Sequence, residues 1–214
     1  MRDLVGMKRH LILLFVLVFV AGLSVSAQIS VGAGYLKTHV SADHENGSGE
    51  GFYAGLSYRI PLSGAFSLIP GLYFTRTEES GGQYLVDDMV LHYPFIIEKA
   101  LVAPLHVRWG IDLPQEIRAF IYAGPSFQYG LTCEAPSGLS NVPARDMYEK
   151  EDYGLTHRRW NVLVGGGAGL SFPSKSTQRV FFTAGWDYGL ANLYEYKYLK
   201  SHRSLWRVGV GLEF

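Results

Sequence analysis

The last ten residues of the chain, 205–214, constrain its fold more than any other segment. Large apolar side chains occupy alternate positions, and the positions between them are mostly polar or small. Because successive side chains of a strand point to opposite faces, this pattern predicts a β-strand with one apolar face and one polar face. The apolar positions are Trp206, Val208, Val210, Leu212 and Phe214, and the other face holds Leu205, Arg207, Gly209, Gly211 and Glu213.

The beginning of the chain predicts export. Two basic residues, Lys8 and Arg9, precede an apolar run at 11–20, and Val25, Ser26 and Ala27 have the small side chains of a cleavage site. The run is too short for a membrane-spanning helix, which needs ~20 apolar residues. We therefore expect a signal peptide at 1–27 and one mature domain at 28–214, ending on an aromatic strand.

Charge and cysteine content exclude two classes of protein. The full chain carries 19 basic and 19 acidic residues. Removal of the signal peptide takes away three basic residues and one acidic residue, so the mature formal charge is −2 and gives no basis for binding nucleic acid. The single cysteine, Cys133, has no partner for an internal disulfide, which excludes a small disulfide-linked secreted domain.

Alternating patterns recur along the mature chain and predict eight strands. They lie near 28–38, 50–60, 65–77, 97–110, 117–132, 158–172, 179–191 and 205–214. Short turns at 61–64, 111–116 and 173–178 alternate with longer polar connections at 38–50, 77–96, 133–157 and 192–203. This order is typical of an all-β fold, an eight-stranded antiparallel up-and-down transmembrane β-barrel, with short periplasmic turns and long extracellular loops.

The two faces of the strands predict an outside that contacts lipid and an inside that is ionic. Trp109, Trp160, Trp186, Trp206 and Phe214 fall on the outward face, several of them near strand ends, where membrane interfaces favour aromatic side chains. A barrel of about eight strands encloses only enough space for side chains, so the inward charges predict a packed ionic network rather than a conducting pore. The expected network comprises Arg59, Glu98, His106, Arg108, Arg118, Arg159, Arg179, Asp187, Arg207 and Glu213.

Four short stretches resemble a known family. The segments 103–108 (APLHVR), 123–127 (AGPSF), 165–169 (GGGAG) and 186–192 (WDYGLAN) are similar to strand motifs of the PorT-like outer-membrane β-barrel family of Bacteroidetes. The resemblance implies an outer-membrane barrel inserted by the barrel-assembly machinery, which reads a C-terminal strand ending in an aromatic residue such as Phe214. The family's namesake is associated with protein secretion, but most members have no assigned activity, and the family supplies no catalytic residues.

The leading functional hypothesis is a non-enzymatic outer-membrane barrel without cofactor or metal. Its loops at 77–96 and 133–157 would contact a surface ligand or a secretion complex. The alternatives are a small channel, a soluble secreted ligand-binding barrel and an enzyme at the extracellular rim. Candidate rim groups are Asp87, Asp88 and His92 for a protease, and Ser80, Ser137, His39, His44 and His157 for an acyltransferase. The cluster His39, Asp43, His44 and Glu45 fits a hydrated loop better than a metal site.

Overall fold

The alternation of the C-terminal segment recurs in eight long strands that form one closed sheet. The computed structural model describes residues 28–42, 46–80, 83–86, 89–92, 95–135, 145–146, 148, 157–174, 178–193 and 201–214. The signal peptide expected at 1–27 lies outside these residues. The long strands are β1 (Gln28–Ala42), β2 (Asn46–Ser63), β3 (Phe66–Ser80), β6 (Phe95–Asp112), β7 (Arg118–Ala135), β9 (Trp160–Pro173), β10 (Arg179–Gly189) and β11 (Ser201–Glu213).

Three short strands accompany the eight long ones. They are β4 (Gln83–Val86), β5 (Met89–His92) and β8 (Arg145–Asp146); β4 pairs with β5, and β8 pairs with the end of β7. A single 3-10 turn, Pro114–Glu116, separates β6 from β7. Within the described ranges, no helix has the length and apolar character needed to cross a membrane.

Each long strand pairs antiparallel with the long strands before and after it in the chain. The barrel closes where β1 pairs with β11, from Ser30 opposite Glu213 to Ala42 opposite Ser201. This closure leaves no long strand with an unpaired edge, which is the condition for a sheet to exist in lipid. The predicted eight-stranded antiparallel up-and-down barrel is thereby confirmed.

The prediction of a long first loop at 38–50 is wrong. β1 continues to Ala42 and β2 begins at Asn46, so only 43–45 separate the two strands. The predicted loop at 77–96 also contains the end of β3, the β4–β5 hairpin and the start of β6. These polar residues remain in strands because, beyond the bilayer, a strand has no need of an apolar face.

The outer surface of the barrel carries an apolar band with a sharp upper limit. Along β11 the outward residues 206, 208, 210, 212 and 214 are exposed and apolar. On the side away from the short turns, the outward positions of β1, β2, β3 and β6 become charged: Lys37, Glu50, Arg76 and Lys99. At this limit the Tyr35 hydroxyl donates to Glu50 Oε2 over 2.8 Å. The strands therefore extend past the lipid-facing band on the loop side.

On β2, one of the described outward residues departs from the predicted pattern. Tyr58 belongs to the outward alternation of β2, yet it is buried, unlike its neighbours Leu56 and Ala54.

We predict that an arginine in the middle of the apolar band destabilises the barrel far more than one above it. Val210→Arg places a charge against acyl chains and should cost about 2–4 kcal/mol of unfolding free energy. The matched control is Ile97→Arg, because Ile97 faces outward above the band with Glu78 and Glu134 as its strand neighbours. This control should change stability by only about 0.5 kcal/mol. Reversible urea unfolding in phospholipid vesicles measures both, and equal losses would contradict the assigned band.

Candidate functional site in the barrel lumen

A buried carboxylate holds two arginines at the end of the lumen near the short turns. Arg59 Nη1 lies 2.9 Å from Glu213 Oε1, and Arg108 Nη1 lies 3.1 Å from Glu213 Oε2. Glu213 is 1% exposed, so its charge has little access to water. A buried charge persists only when it is paired, and two guanidinium groups meet that need here. We call Arg59, Arg108 and Glu213 the Glu213 cluster.

A second ionic group lies farther from the short turns and consists of one ion pair. Arg207 contacts both oxygens of Asp187, with Nε 2.8 Å from Oδ2 and Nη2 3.0 Å from Oδ1. This bidentate geometry suits the planar guanidinium group, and it links the paired strands β10 and β11 through their side chains. His106 lies nearby in the lumen, with Nε2 3.2 Å from the Ser126 hydroxyl.

The third group lies at the mouth of the barrel, the end of the lumen away from the short turns, and the sequence interpretation missed three of its four residues. Arg203 is 1% exposed and contacts two carboxylates: Glu79, whose Oε1 is 2.9 Å from Arg203 Nε, and Glu98. Tyr148 donates its hydroxyl to Glu98 Oε1 over 2.7 Å. We call Arg203, Glu79, Glu98 and Tyr148 the Arg203 cluster. Arg203 and Glu79 were overlooked because they fall in stretches read as loops, although Arg203 continues the inward alternation of β11.

Three arginines expected in the lumen lie at its ends instead. Arg118 pairs with Asp112 over 2.6 Å at the short-turn rim, where the Asp112 side chain is 70% exposed. Arg179 donates to the Ser171 hydroxyl over 2.8 Å and to the Glu116 carbonyl. Arg159 is exposed, with its guanidinium carbon 4.8 Å from the centre of the Tyr148 ring. The expected single network is therefore two clusters and one ion pair at different heights, with these arginines outside them.

Aromatic rings pack in the lumen between the ionic groups, and inward glycines make room for them. A Cβ atom at Gly209 would collide with the Tyr53 hydroxyl, and one at Gly167 or Gly185 would approach the Tyr122 hydroxyl too closely. A Cβ atom would likewise collide with the ring of Phe120 at Gly169, of Tyr148 at Gly130 and of Phe181 at Gly211. The sequence carried a signal for this packing, because Tyr53, Tyr73, Phe120, Tyr122 and Phe181 all occupy inward positions of their strands.

Two groups outside the barrel strands are held neutral at the mouth. Burial, followed by the nearby Glu98 charge, raises the pKa of Tyr148. Burial lowers the pKa of His157 to about 4, and His157 is 1% exposed. At neutral pH both groups therefore add no charge to the Arg203 cluster.

The residues weighed for a rim enzyme are not brought together by the part of the chain that the structure describes. Asp87, Asp88 and Ser137 lie outside the described residues, as do Asp43, His44 and Glu45 of the first connection, and the side chains of Ser80 and His92 are likewise not described. His39 is exposed, whereas His157 is buried in the mouth. Among the described side chains, no group of three or more His, Cys, Asp or Glu residues is arranged to hold a metal ion.

Comparison with known families gives one match. The sequence model of the family described as "Outer membrane protein beta-barrel domain" matches residues 21–195, which is most of the chain. No curated protein matches the sequence.

Solved structures share the architecture at low sequence identity. Neisserial surface protein A is 13% identical with a TM-score of 0.53, and the match covers 87% of this chain and 97% of that one. Ail from Yersinia pestis, in complex with the heparin analogue sucrose octasulfate, is 17% identical with a TM-score of 0.43, covering 89% and 100%. OprG from Pseudomonas aeruginosa is 8% identical with a TM-score of 0.44, covering 88% and 96%. The match to neisserial surface protein A supports the fold but not a function. The TM-scores of Ail and OprG are too low to support a shared fold.

We predict that loss of the Arg203 guanidinium destabilises the barrel strongly. Arg203→Met leaves Glu79 and Glu98 buried without their cation and should cost about 3–5 kcal/mol in urea unfolding. The matched control is Arg76→Met, because Arg76 is partly exposed and lies 3.4 Å from an exposed partner, Glu78. That change should cost less than about 1 kcal/mol. Equal losses from the two substitutions would show that Arg203 makes no special contribution.

We predict that a methyl group at Gly209 is poorly tolerated because it meets Tyr53. Gly209→Ala should lower the unfolding free energy by about 1–3 kcal/mol, the usual cost of overpacking. Gly32→Ala is the control, since a Cβ there would have its nearest neighbour at 3.5 Å, an ordinary contact. Adding Tyr53→Phe to Gly209→Ala should recover part of the loss, and a purely additive double variant would contradict this packing.

Proposed function

This chain belongs to the outer membrane protein beta-barrel domain family, and from that membership we propose that it is a non-enzymatic barrel with a closed lumen that presents binding loops outside the cell. The family and the closed eight-stranded sheet place it in the bacterial outer membrane. Its wall contacts lipid through the apolar band. In such barrels the short turns face the periplasm, so the Glu213 cluster is periplasmic and the Arg203 cluster extracellular.

The observation that carries the proposal is the Arg203 cluster at the extracellular mouth. Tyr148 comes from the connection after β7 and reaches Glu98 on β6, so a loop residue is tied to the barrel wall. Its ring packs with Ile96, Cys133 and Ala135 in a buried apolar group. An ion or solute crossing the barrel would have to displace this group, which favours a surface protein over a channel.

The proposal extends to the subfamily of the chain, its signal peptide and its partners. We propose that the chain is PorT-like, that its signal peptide ends at Ala27, and that residues 77–96 and 133–157 contact a secretion assembly or a surface ligand. The barrel-assembly machinery would read the C-terminal strand through Phe214. Two observations support that reading: Phe214 is exposed on the outward face, and its backbone N–H donates to the Ile29 carbonyl over 2.9 Å, at the seam where the barrel closes.

We predict that Cys133, the single cysteine of the chain, resists labelling until Tyr148 is removed. Its thiol is fully buried beside Tyr148. Tyr148→Ala should raise the rate of reaction with a membrane-impermeant maleimide by at least about tenfold, because a hydrogen bond to a charged group is worth about 1.5–3 kcal/mol. Tyr148→Phe keeps the ring, loses the hydrogen bond and should give an intermediate rate.

The reagent is validated with Lys37→Cys in a Cys133→Ser background, because Lys37 is exposed on the outer face and should react at once. Rapid labelling of the unaltered protein would contradict a closed mouth.

Planar-bilayer recording gives the functional test: the refolded protein should show no conductance. Discrete conductance steps from the unaltered protein would overturn the closed-lumen proposal in favour of a small channel.

A further inference from the structure

The lumen contains a cavity between the Glu213 cluster and the Asp187–Arg207 pair. Its volume is about 90 Å³, and its lining includes Tyr53, His106, Arg108, Tyr122, Arg207 and Glu213. A cavity needs only ~10–15 Å³ to hold one water molecule, so this one has room for several water molecules or for a small hydrated ion. Its lining includes two guanidinium groups, which only donate hydrogen bonds, one carboxylate, and several hydroxyls that can donate or accept.

The side chains around the cavity carry an excess of positive charge. Arg59, Arg108 and Arg207 face only two buried carboxylates, Glu213 and Asp187. Both oxygens of Glu213 are engaged by the two arginines of its cluster, and both oxygens of Asp187 are engaged by Arg207. These three guanidinium groups therefore carry one charge more than the two carboxylates balance, and their side chains are only 17%, 8% and 15% exposed, respectively, so the imbalance is costly.

Arg108 shows where the missing partner belongs. Its side chain lines the cavity and the residue is 7% exposed. Arg108 Nη1 donates to Glu213, and the guanidinium carbon lies 3.7 Å from the centre of the Phe120 ring. Arg108 Nη2 is buried and has no hydrogen-bond partner among the described residues. A buried donor of a charged group without an acceptor is strongly unfavourable, so an acceptor is expected beside it.

We propose that this cavity is a binding site for a small inorganic anion, chloride or one of similar size, held beside Arg108 Nη2. A water molecule would accept from Nη2 but would leave the excess positive charge in place. An anion accepts the hydrogen bond and also neutralises the charge. The Tyr53 and Tyr122 hydroxyls in the lining supply neutral donors for the rest of its shell. The ion supplies the third counter-charge for Arg59, Arg108 and Arg207, which Glu213 and Asp187 alone do not provide. This inference does not depend on what the extracellular loops bind.

The direct test is anomalous diffraction from crystals of the refolded, full-length barrel grown in bromide in place of chloride. Bromide stands in for chloride and scatters anomalously. We expect a peak inside the cavity next to Arg108 Nη2. Bromide confined to the outer surface, with only water in the cavity, would overturn the proposal.

Thermal unfolding in solution gives a second test at constant ionic strength. An anion that binds only the folded barrel raises its unfolding temperature, so the midpoint should be higher in sodium chloride than in sodium gluconate, whose anion is too large for the cavity. Arg108→Lys keeps the charge beside Glu213 but removes the free Nη2, and it should abolish the chloride-specific shift.

Arg118→Lys is the matched control, because Arg118 lies at the rim with Asp112, and it should keep the full shift. A shift that survives unchanged in Arg108→Lys would contradict the assigned site. If Arg108→Lys does not fold, the bromide experiment on the unaltered protein decides alone.

Discussion

Every feature of this barrel depends on the need of its backbone for hydrogen bonds where no water is available. In the hydrocarbon core an unpaired N–H or C=O group costs several kcal/mol, so a sheet that enters lipid must close on itself. The pairing of β1 with β11 supplies that closure, from Ser30 opposite Glu213 to Ala42 opposite Ser201. Once the sheet is closed, each strand has one face in lipid and one in the lumen, and the chemistry of both faces follows.

The narrow lumen imposes the second constraint. Eight strands leave room for side chains but not for bulk water, so each inward charge needs a partner and each large ring needs space. The chain meets the first need with the Glu213 cluster, the Asp187–Arg207 pair and the Arg203 cluster. It meets the second with glycines opposite aromatic rings, as at Gly209 and Tyr53. Among the described residues the charge is unevenly distributed, because the Glu213 cluster near the short turns has two arginines to one carboxylate and the Arg203 cluster has one arginine to two carboxylates.

Sequence reasoning succeeded where lipid enforces alternation and failed where it does not. The pattern of 205–214 predicted the two faces of β11 because lipid tolerates only apolar side chains on one of them. Beyond the bilayer the outward face meets water and needs no apolar side chains, so the ends of β1 and β2 lost the alternating signal and were read as a loop. Arg203 and Glu79 were missed for the same reason. Which charges pair depends on strand register across the closed sheet, and a single sequence does not contain that register.

A closed barrel in lipid can be tested without any substitution by nuclear Overhauser effects from lipid acyl chains to side-chain methyl groups in a nanodisc. We expect acyl-chain contacts for the methyl groups of Val208, Val210 and Leu212, which face outward on β11. We expect none for Leu36, Leu163 and Leu205, which are buried inside the barrel. Acyl-chain contacts to the second set, or their absence from the first, would show that the sheet does not close with this face toward lipid.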